Sequence, residues 1–254
     1  MIVGAQGYTV REFAKEESGI AQTMKRLKEI GFSALQVSAF GQIAPERLKE
    51  LADEYEIKIV VTHTNPDLIR DHTEEVIRSH KILNCPYVGI GMMPDRYRTG
   101  EDGLEAFLSD YDLPARKLRE HGLKLQYHNH FYEYQKLGGK VILDRMAEET
   151  DPELWGFILD VFWTQFGGRC PARQIEMLKG RIDVCHFKDM KICGEERRTA
   201  AVMDGNLSWD EIIAACEKTG IPYAMIEQDE CYGKNPFDEL KLSHDNLQAA
   251  GIRF

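Results

Sequence analysis

The sequence lacks any apolar run long enough to cross a bilayer and any recognisable export signal. Its longest apolar runs, such as Tyr87–Met93, have the length of a β-strand, whereas a membrane-spanning helix needs roughly 20 apolar residues. The amino end has no basic flank followed by an apolar stretch, although a signal removed by processing would leave no trace. We therefore expect no membrane partner.

The chain also lacks closely spaced cysteine pairs, and it has no excess of positive charge. None of its six cysteines forms a CxxC pair, which excludes a zinc ribbon and a thioredoxin motif. We expect reduced thiols and a cytoplasmic location. Acidic residues outnumber basic ones by 42 to 32, for a net charge of −10. Because duplex-binding proteins usually present a basic face, we expect no nucleic-acid partner.

Two further absences bear on domain organisation. No linker rich in Pro, Gly or Ser divides the chain, so we expect a single domain over residues 1–254. The glycine fingerprint GxGxxG of dinucleotide-binding folds is missing after the first predicted strand. Gly89-Ile90-Gly91 is too short a match and falls inside a predicted strand.

What is present is an alternation of short apolar runs with amphipathic segments. The eight runs are Ile2–Ala5, Ala34–Phe40, Ile57–His63, Tyr87–Met92, Leu123–Asn129, Gly156–Val161, Ile182–Lys188 and Tyr223–Asp229. Such alternation implies parallel strands joined by right-handed crossovers. Eight units in a chain of this length predict an α/β fold, a single (β/α)8 TIM barrel. An open doubly wound sheet is the alternative.

Two local signals refine the helix predictions. Pro114 interrupts the fourth helical pattern, so that helix is expected to kink or restart there. Ser208 followed by Glu211 has the pattern of a capping box, which predicts the start of a later helix.

Barrel enzymes place reactive groups at the carboxyl ends of their strands, and several apolar runs end in polar residues. At or just beyond the ends of the runs lie His63 (run three), His128, His130 and Glu133 (run five), Asp160 and Trp163 (run six), His186 and Lys188 (run seven) and Glu227 (run eight). A histidine or carboxylate at one strand end is more often structural than functional.

Convergence changes this interpretation, because Asp160, His186 and Glu227 end three consecutive strands that surround one pocket. Carboxylates crowded in such a pocket repel each other, and a divalent cation removes that cost. Imidazole and carboxylate ligands suit Mn²⁺, Zn²⁺, Co²⁺ or Mg²⁺. We predict one divalent metal ion, with a purely structural polar cluster as the alternative.

The same residues carry a family resemblance. The motifs are Gln6-Gly7-Tyr8-Thr9-Val10-Arg11, Thr62-His63-Thr64, Tyr127-His128-Asn129-His130 with Glu133, Leu159-Asp160-Val161-Phe162-Trp163, His186-Phe187-Lys188-Asp189 and Ile226-Glu227-Gln228-Asp229. In this order they resemble the sugar phosphate isomerase/epimerase group of xylose isomerase-like TIM barrels, over nearly the whole chain.

The resemblance implies a metal centre of Glu, Asp, His and Glu from strands five to eight. Asp160, His186 and Glu227 match the last three positions. At the first position this sequence departs from the family, because His128 stands there and Glu133 lies just beyond it. We favour Glu133 as the fourth ligand, with His128 as the alternative.

The implied chemistry is isomerisation or epimerisation of a small carbohydrate by proton transfer next to a carbonyl, through a metal-stabilised enediolate. Glu227, or one of His128 and His130, would act as general base and acid. Lys188 would neutralise an oxyanion, or would be a solvated lysine paired with Asp189. The substrate-binding candidates are His63, Trp163, Gln6 and Tyr8, of which Trp163 would form an apolar wall or pack as a core aromatic.

Three other functions compete. A lyase or dehydratase acting on keto-sugars or inososes would use nearly the same residues. A non-catalytic sugar-binding barrel would use the same pocket. A nuclease like endonuclease IV needs more strand-end histidines than this chain offers. Gly205 alone does not form a phosphate-binding loop, so the sequence gives little support for a phosphorylated substrate.

Overall fold

The computed structural model describes all residues, 1–254, and its centre is a closed barrel of eight parallel strands. The strands are β1 (Ile2–Gln6), β2 (Ala34–Val37), β3 (Lys58–Thr64), β4 (Tyr87–Ile90), β5 (Lys124–His128), β6 (Trp155–Asp160), β7 (Ile182–Phe187) and β8 (Tyr223–Ile226). Each strand pairs with the next along the chain, and β8 closes on β1. All eight predicted runs form strands, and the closed barrel is confirmed over the open sheet.

Ten helices connect or follow the strands. They are α1 (Glu17–Ile30), α2 (Pro45–Glu54), α3 (Pro66–Asp71), α4 (Thr73–Leu83), α5 (Glu101–Glu120), α6 (Ile142–Glu149), α7 (Val161–Phe166), α8 (Pro171–Met177), α9 (Trp209–Thr219) and α10 (Pro236–Ala249). None of them combines the length and the apolar character that a bilayer crossing demands.

The two local helix signals have different outcomes. Pro114 lies inside α5, which is one helix from Glu101 to Glu120, so the helix does not restart there. Ser208 does precede α9, but its side chain makes no capping hydrogen bond. The start of that helix was therefore predicted correctly, whereas the capping-box contact is absent.

Strand side chains of opposite parity enter two separate apolar clusters. The larger cluster has 57 buried residues and joins strand residues such as Leu159 to helix residues such as Phe107. The smaller cluster has six buried residues, among them Ile158, Val184 and Met225. Because side chains alternate along a strand, each of these three points to the same side as the residue two positions later. The small cluster is thus an apolar floor beneath the polar strand ends.

Two hairpins and three 3-10 segments lie outside the eight-stranded sheet of the barrel. One hairpin pairs Asp189–Cys193 with Glu196–Ala200 directly after β7. The other pairs Lys136–Leu137 with Lys140–Val141. The 3-10 segments are Gly7–Phe13, Asp95–Tyr97 and Tyr132–Tyr134.

Candidate active site

Four buried side chains converge at the carboxyl ends of four consecutive strands. They are His128 on β5, Asp160 on β6, His186 on β7 and Glu227 directly after β8. One ligand atom from each lies within 4.8 Å of the other three. Asp160 and His186 are also partners in the register of β6 and β7. The strand-end positions read from the sequence therefore do meet at one point.

Each of the two histidines has one ring nitrogen held by an acceptor outside the cluster. His128 Nδ1 lies 2.9 Å from the carbonyl oxygen of Gly91, which can only accept a hydrogen bond. His186 Nε2 lies 2.7 Å from the side-chain oxygen of Gln36, which likewise accepts. Each ring therefore donates its N–H away from the cluster. The other two ring nitrogens, His128 Nε2 and His186 Nδ1, face the cluster.

The two carboxylates follow the same pattern. Asp160 Oδ1 accepts from the backbone N–H of Trp163 at 3.0 Å. Glu227 Oε1 accepts from the side-chain amide of Gln6 at 2.8 Å. The second oxygen of each group faces the cluster.

The inner atoms have the properties expected of metal ligands. His186 Nδ1 and Glu227 Oε2 are 3.0 Å apart, fully buried and without hydrogen-bond partners. Histidines that bind metals commonly donate their other N–H to an oxygen, which orients the ring. The four side chains fit a divalent cation by donor type and by outer partner, and two of them, His186 and Glu227, also have an unpaired buried atom at the cluster.

Lys188 enters the cluster as a buried cation. Its ammonium lies 2.6 Å from Asp229 Oδ2 and 3.5 Å from both Asp160 Oδ2 and Glu227 Oε2. Burial by itself lowers the pKa of Lys188, but the carboxylates of Glu227, Asp160 and Asp229 outweigh it and raise the pKa. Lys188 is therefore a fixed positive charge, which suits charge neutralisation and excludes a role as base.

The charge of Lys188 also affects the pKa values of the neighbouring carboxylates. Burial alone would raise the pKa values of Asp160 and Glu227, but Lys188 and His186 hold both below their usual range. Burial alone would lower the pKa of His186, but the carboxylates of Glu227 and Asp160 outweigh burial and raise that pKa to about 9. The two acids are ionised at neutral pH.

The alternative pairing of Lys188 with Asp189 does not occur. Asp189 points instead into the loop that precedes α9. Its carboxylate accepts hydrogen bonds from the backbone amides of Met190, Met203, Gly205 and Leu207 and from the indole N–H of Trp209. This residue organises the loop that follows the 189–200 hairpin.

Glu133 lies outside the cluster, contrary to the preference for it as fourth ligand. Its carboxylate is buried on the Tyr132–Tyr134 turn, where it accepts from the Tyr127 hydroxyl at 2.6 Å and from the His130 amide at 2.7 Å. Tyr127 belongs to the larger apolar cluster. Glu133 thus faces the outer layer of the barrel, and His128 holds the fourth position.

The candidate substrate residues surround a cavity of about 720 Å³ at the mouth of the barrel. Its wall includes Gln6, Tyr8, His63, His128, His130, Trp163, Lys188 and Glu227. Asp160 and His186 are completely buried beneath it. The cavity size falls in the range of small-molecule sites.

His63 and His130 are neutral imidazoles in this wall. Burial and then the neighbouring imidazole of His128 lower the pKa of both, that of His130 to about 3. The His130 ring packs 4.6 Å from that of His128 and 5.3 Å from Trp163, between ring centroids. His130 Nδ1 is buried without a partner.

Sequence reasoning missed several contributors, namely Gln36, Gly91, Asp229 and Ser38. Gln36 carried a usable signal, because it is a polar residue inside the apolar run of β2. Asp229 follows Glu227 by two residues and could have been assigned to the same side. Nothing local indicated Gly91, whose contribution is a backbone carbonyl.

The chain is similar to several known proteins. A curated inosose dehydratase from Geobacillus kaustophilus is 23% identical over 197 residues, which cover 67% of this chain and 62% of that protein's length. A solved structure of a sugar phosphate isomerase/epimerase from Parabacteroides distasonis superposes with a TM-score of 0.84 at 21% identity, covering 98% of this chain and 93% of that one.

A third similar protein is an L-ribulose 3-epimerase, with a TM-score of 0.75 at 12% identity, covering 98% of this chain and 94% of that one. At these identities the structural likenesses show the fold alone. The family model described as xylose isomerase-like TIM barrel matches residues 24–248. The chain therefore belongs to the xylose isomerase-like TIM barrel family.

Proposed function

We propose that the protein is a divalent-metal-dependent isomerase or epimerase of a small carbohydrate, acting by proton transfer next to a carbonyl. The observation that carries this proposal is the set of four inward ligand atoms, each on a side chain whose other polar atom has its own partner. A structural polar cluster has no need to leave buried atoms unpaired, because an unmade buried hydrogen bond costs about 1–3 kcal/mol.

The ligands would be His128 Nε2, Asp160 Oδ2, His186 Nδ1 and Glu227 Oε2. Imidazole and carboxylate donors suit Mn²⁺, Zn²⁺ or Co²⁺, with Mg²⁺ less favoured by two nitrogens. Bound there, such a cation supplies Lewis-acid stabilisation for charge that develops on substrate oxygen.

Proton transfer falls to Glu227 and His130. The Glu227 carboxylate is ionised, lines the cavity and is oriented by Gln6, so it accepts the proton from carbon. His128 has both ring nitrogens engaged, one with Gly91 and one inside the cluster. Each of those nitrogens has a single site, whereas each Glu227 oxygen keeps a second lone pair. His130 instead keeps an unpaired buried nitrogen in the cavity wall, so it is the second group placed to exchange a proton with the substrate.

Two further residues complete the site. The Lys188 ammonium lies beside the ligand oxygens and neutralises negative charge on the reacting substrate. Trp163 lines the cavity next to His130 and offers an apolar wall to the C–H face of a sugar. Tyr8 and Gln6 also line this cavity, where they would contact substrate hydroxyls.

A dehydratase acting on keto-sugars or inososes is the second candidate. One observation favours it: the two proton-transfer groups are of different types, a carboxylate and a neutral imidazole. An elimination needs such a division, since one group removes the proton and another protonates the leaving hydroxyl. One curated relative is named as an inosose dehydratase.

The test is solvent-deuterium exchange after loading with Mn²⁺. Ketohexoses, 3-keto sugars and inososes are incubated in deuterated buffer and followed by mass spectrometry. Deuterium gain without loss of water supports the isomerase or epimerase, and loss of water supports the dehydratase. The variant Glu227→Gln should abolish either signal. The matched control is Glu230→Gln, because Glu230 is close in sequence but its carboxylate pairs with Arg11 at the surface.

Binding of a sugar with no exchange in the wild type would instead support a non-catalytic sugar-binding barrel. Failure to retain stoichiometric metal after desalting would contradict metal dependence.

A further inference from the structure

We propose that Ser38 sets the tautomer of His63 and makes it a fixed N–H donor to a substrate oxygen. Ser38 follows β2 and is buried, with 4% of its surface exposed. Its hydroxyl oxygen lies 3.2 Å from His63 Nδ1. His63 lies near the end of β3 and lines the main cavity.

The direction of this hydrogen bond follows from the partners available. The hydroxyl of Ser38 has no hydrogen-bond partner other than His63 Nδ1. A buried hydroxyl that donates to nothing costs about 1–3 kcal/mol. Ser38 therefore donates and Nδ1 accepts. A neutral imidazole that accepts at Nδ1 carries its proton on Nε2.

The resulting N–H has no acceptor within the protein. His63 Nε2 is buried and unpaired. Its ring lies 5.1 Å from that of His128 and 5.8 Å from that of His186, between centroids. His128 and His186 each donate an N–H to an acceptor outside the cluster, whereas the N–H of His63 has no such acceptor. The acceptor that satisfies it must come from a molecule in the cavity.

Gly91 makes room for this arrangement. A Cβ at position 91 would lie 3.0 Å from both Cγ and Nδ1 of His63, closer than side chains normally approach. The carbonyl of the same residue accepts the N–H of His128. The second glycine of Gly89-Ile90-Gly91, which resembles no nucleotide fingerprint, thus serves two histidines of the site.

The consequence for catalysis rests on the proposed function. An N–H donor fixed before substrate arrives stabilises negative charge that develops on a carbonyl or hydroxyl oxygen. The same tautomer prevents His63 Nε2 from binding a second cation. His63 is then a catalytic residue, and Ser38 is a positioning residue that acts through it.

The direct test is nitrogen NMR of the histidine rings, in full-length protein labelled with ¹⁵N-histidine, with and without Zn²⁺. The His63 signals are assigned by their loss in His63→Gln. We expect an unprotonated, hydrogen-bonded Nδ1 and a protonated Nε2 in the wild type. Ser38→Ala should shift the Nδ1 signal, and Ser38→Thr, which keeps the hydroxyl, should restore it.

Ser79→Ala is the matched control, because the Ser79 hydroxyl bonds only to the Glu75 carbonyl on α4. It should leave the His63 signals unchanged. A proton on Nδ1 in the wild type, or unchanged His63 signals in Ser38→Ala, would overturn the proposal. This readout needs no substrate, so it separates the proposal from failure of the proposed function.

An activity arm tests the catalytic consequence once a substrate is known. Ser38→Ala should lower kcat about 10-fold with a smaller change in KM, less than the ~100-fold typical of removing a donor outright. An equal change in KM with constant kcat would show that His63 only binds the substrate and would overturn its catalytic role.

Discussion

At the scale of single residues, the site is defined as much by the outer partner of each ligand as by the ligand itself. Gln36 accepts the N–H of His186, and Gln6 donates to Glu227. Each partner leaves one atom of its ligand free to face the cluster. Two glutamines that do not touch the cation position are thus responsible for the direction of two ligand atoms.

Removing a metal ligand should reduce metal affinity more than removing the outer hydrogen-bond partner of a ligand. Asp160→Asn keeps an acceptor for the Trp163 amide but removes the charge at Oδ2, so stoichiometric metal uptake should disappear. Gln36→Leu should weaken metal binding by roughly 10- to 100-fold, as is typical for outer partners. Isothermal titration with Mn²⁺ measures both. Full affinity in Asp160→Asn would refute this ligand set.

Glu133 should matter for stability rather than for metal. Glu133→Gln weakens its hydrogen bonds to Tyr127 and His130, which should cost about 1–3 kcal/mol of unfolding free energy. Metal affinity should stay unchanged. Urea unfolding and metal titration on one preparation test both statements. Loss of metal binding without loss of stability would return Glu133 to the ligand set.

At the scale of elements, the strands were predictable and the loops were not. Strands of a barrel are covered on both faces, so they appear as apolar runs, and Asp160, His186 and Glu227 could be placed from their ends. The direction of a loop has no such periodic signal. Glu133 was therefore assigned to the wrong side, and the contacts of Gln36, distant in sequence from His186, could not be foreseen.

Helix α4 contains a pH-sensitive contact of its own. His80 is buried, donates from Nδ1 to the Val76 carbonyl and lies 2.9 Å from the Thr62 hydroxyl on β3. Burial lowers its pKa from 6.5 to about 4, with the Val76 hydrogen bond opposing. Between these values the unfolded chain binds the proton and the folded chain does not, so stability rises with pH and is lost as pH falls from 6.5 toward 4.

The size of that effect can be measured with His80→Asn. Lowering the pKa of His80 from 6.5 to about 4 corresponds to a loss of about 3 kcal/mol of unfolding free energy as the pH falls between those two values. Urea unfolding near pH 7 and near pH 4.5 should show a smaller pH dependence in the variant than in the wild type. The difference between the two proteins isolates His80 from other titrating groups. Equal slopes would contradict the assignment.

At the scale of the whole molecule, metal binding and folding are linked, because the four ligands come from four strands of one closed barrel. A cation at 100 times its Kd adds about 2.7 kcal/mol to the unfolding free energy. For a chain of this size the melting temperature should rise by about 5–10 °C. Thermal unfolding with Mn²⁺ and with a chelator measures the shift. The same shift in Asp160→Asn would indicate binding elsewhere.

The hairpin of residues 189–200 is a suitable place to insert additional sequence. Asp189 anchors the loop before α9 at the base of this hairpin, while Gly194 and Glu195 at its tip are exposed. Exposed tips are the places where inserted sequence is best tolerated. A reporter or affinity tag spliced in there would leave both chain ends free and would sit beside the mouth of the barrel, where it could signal ligand arrival.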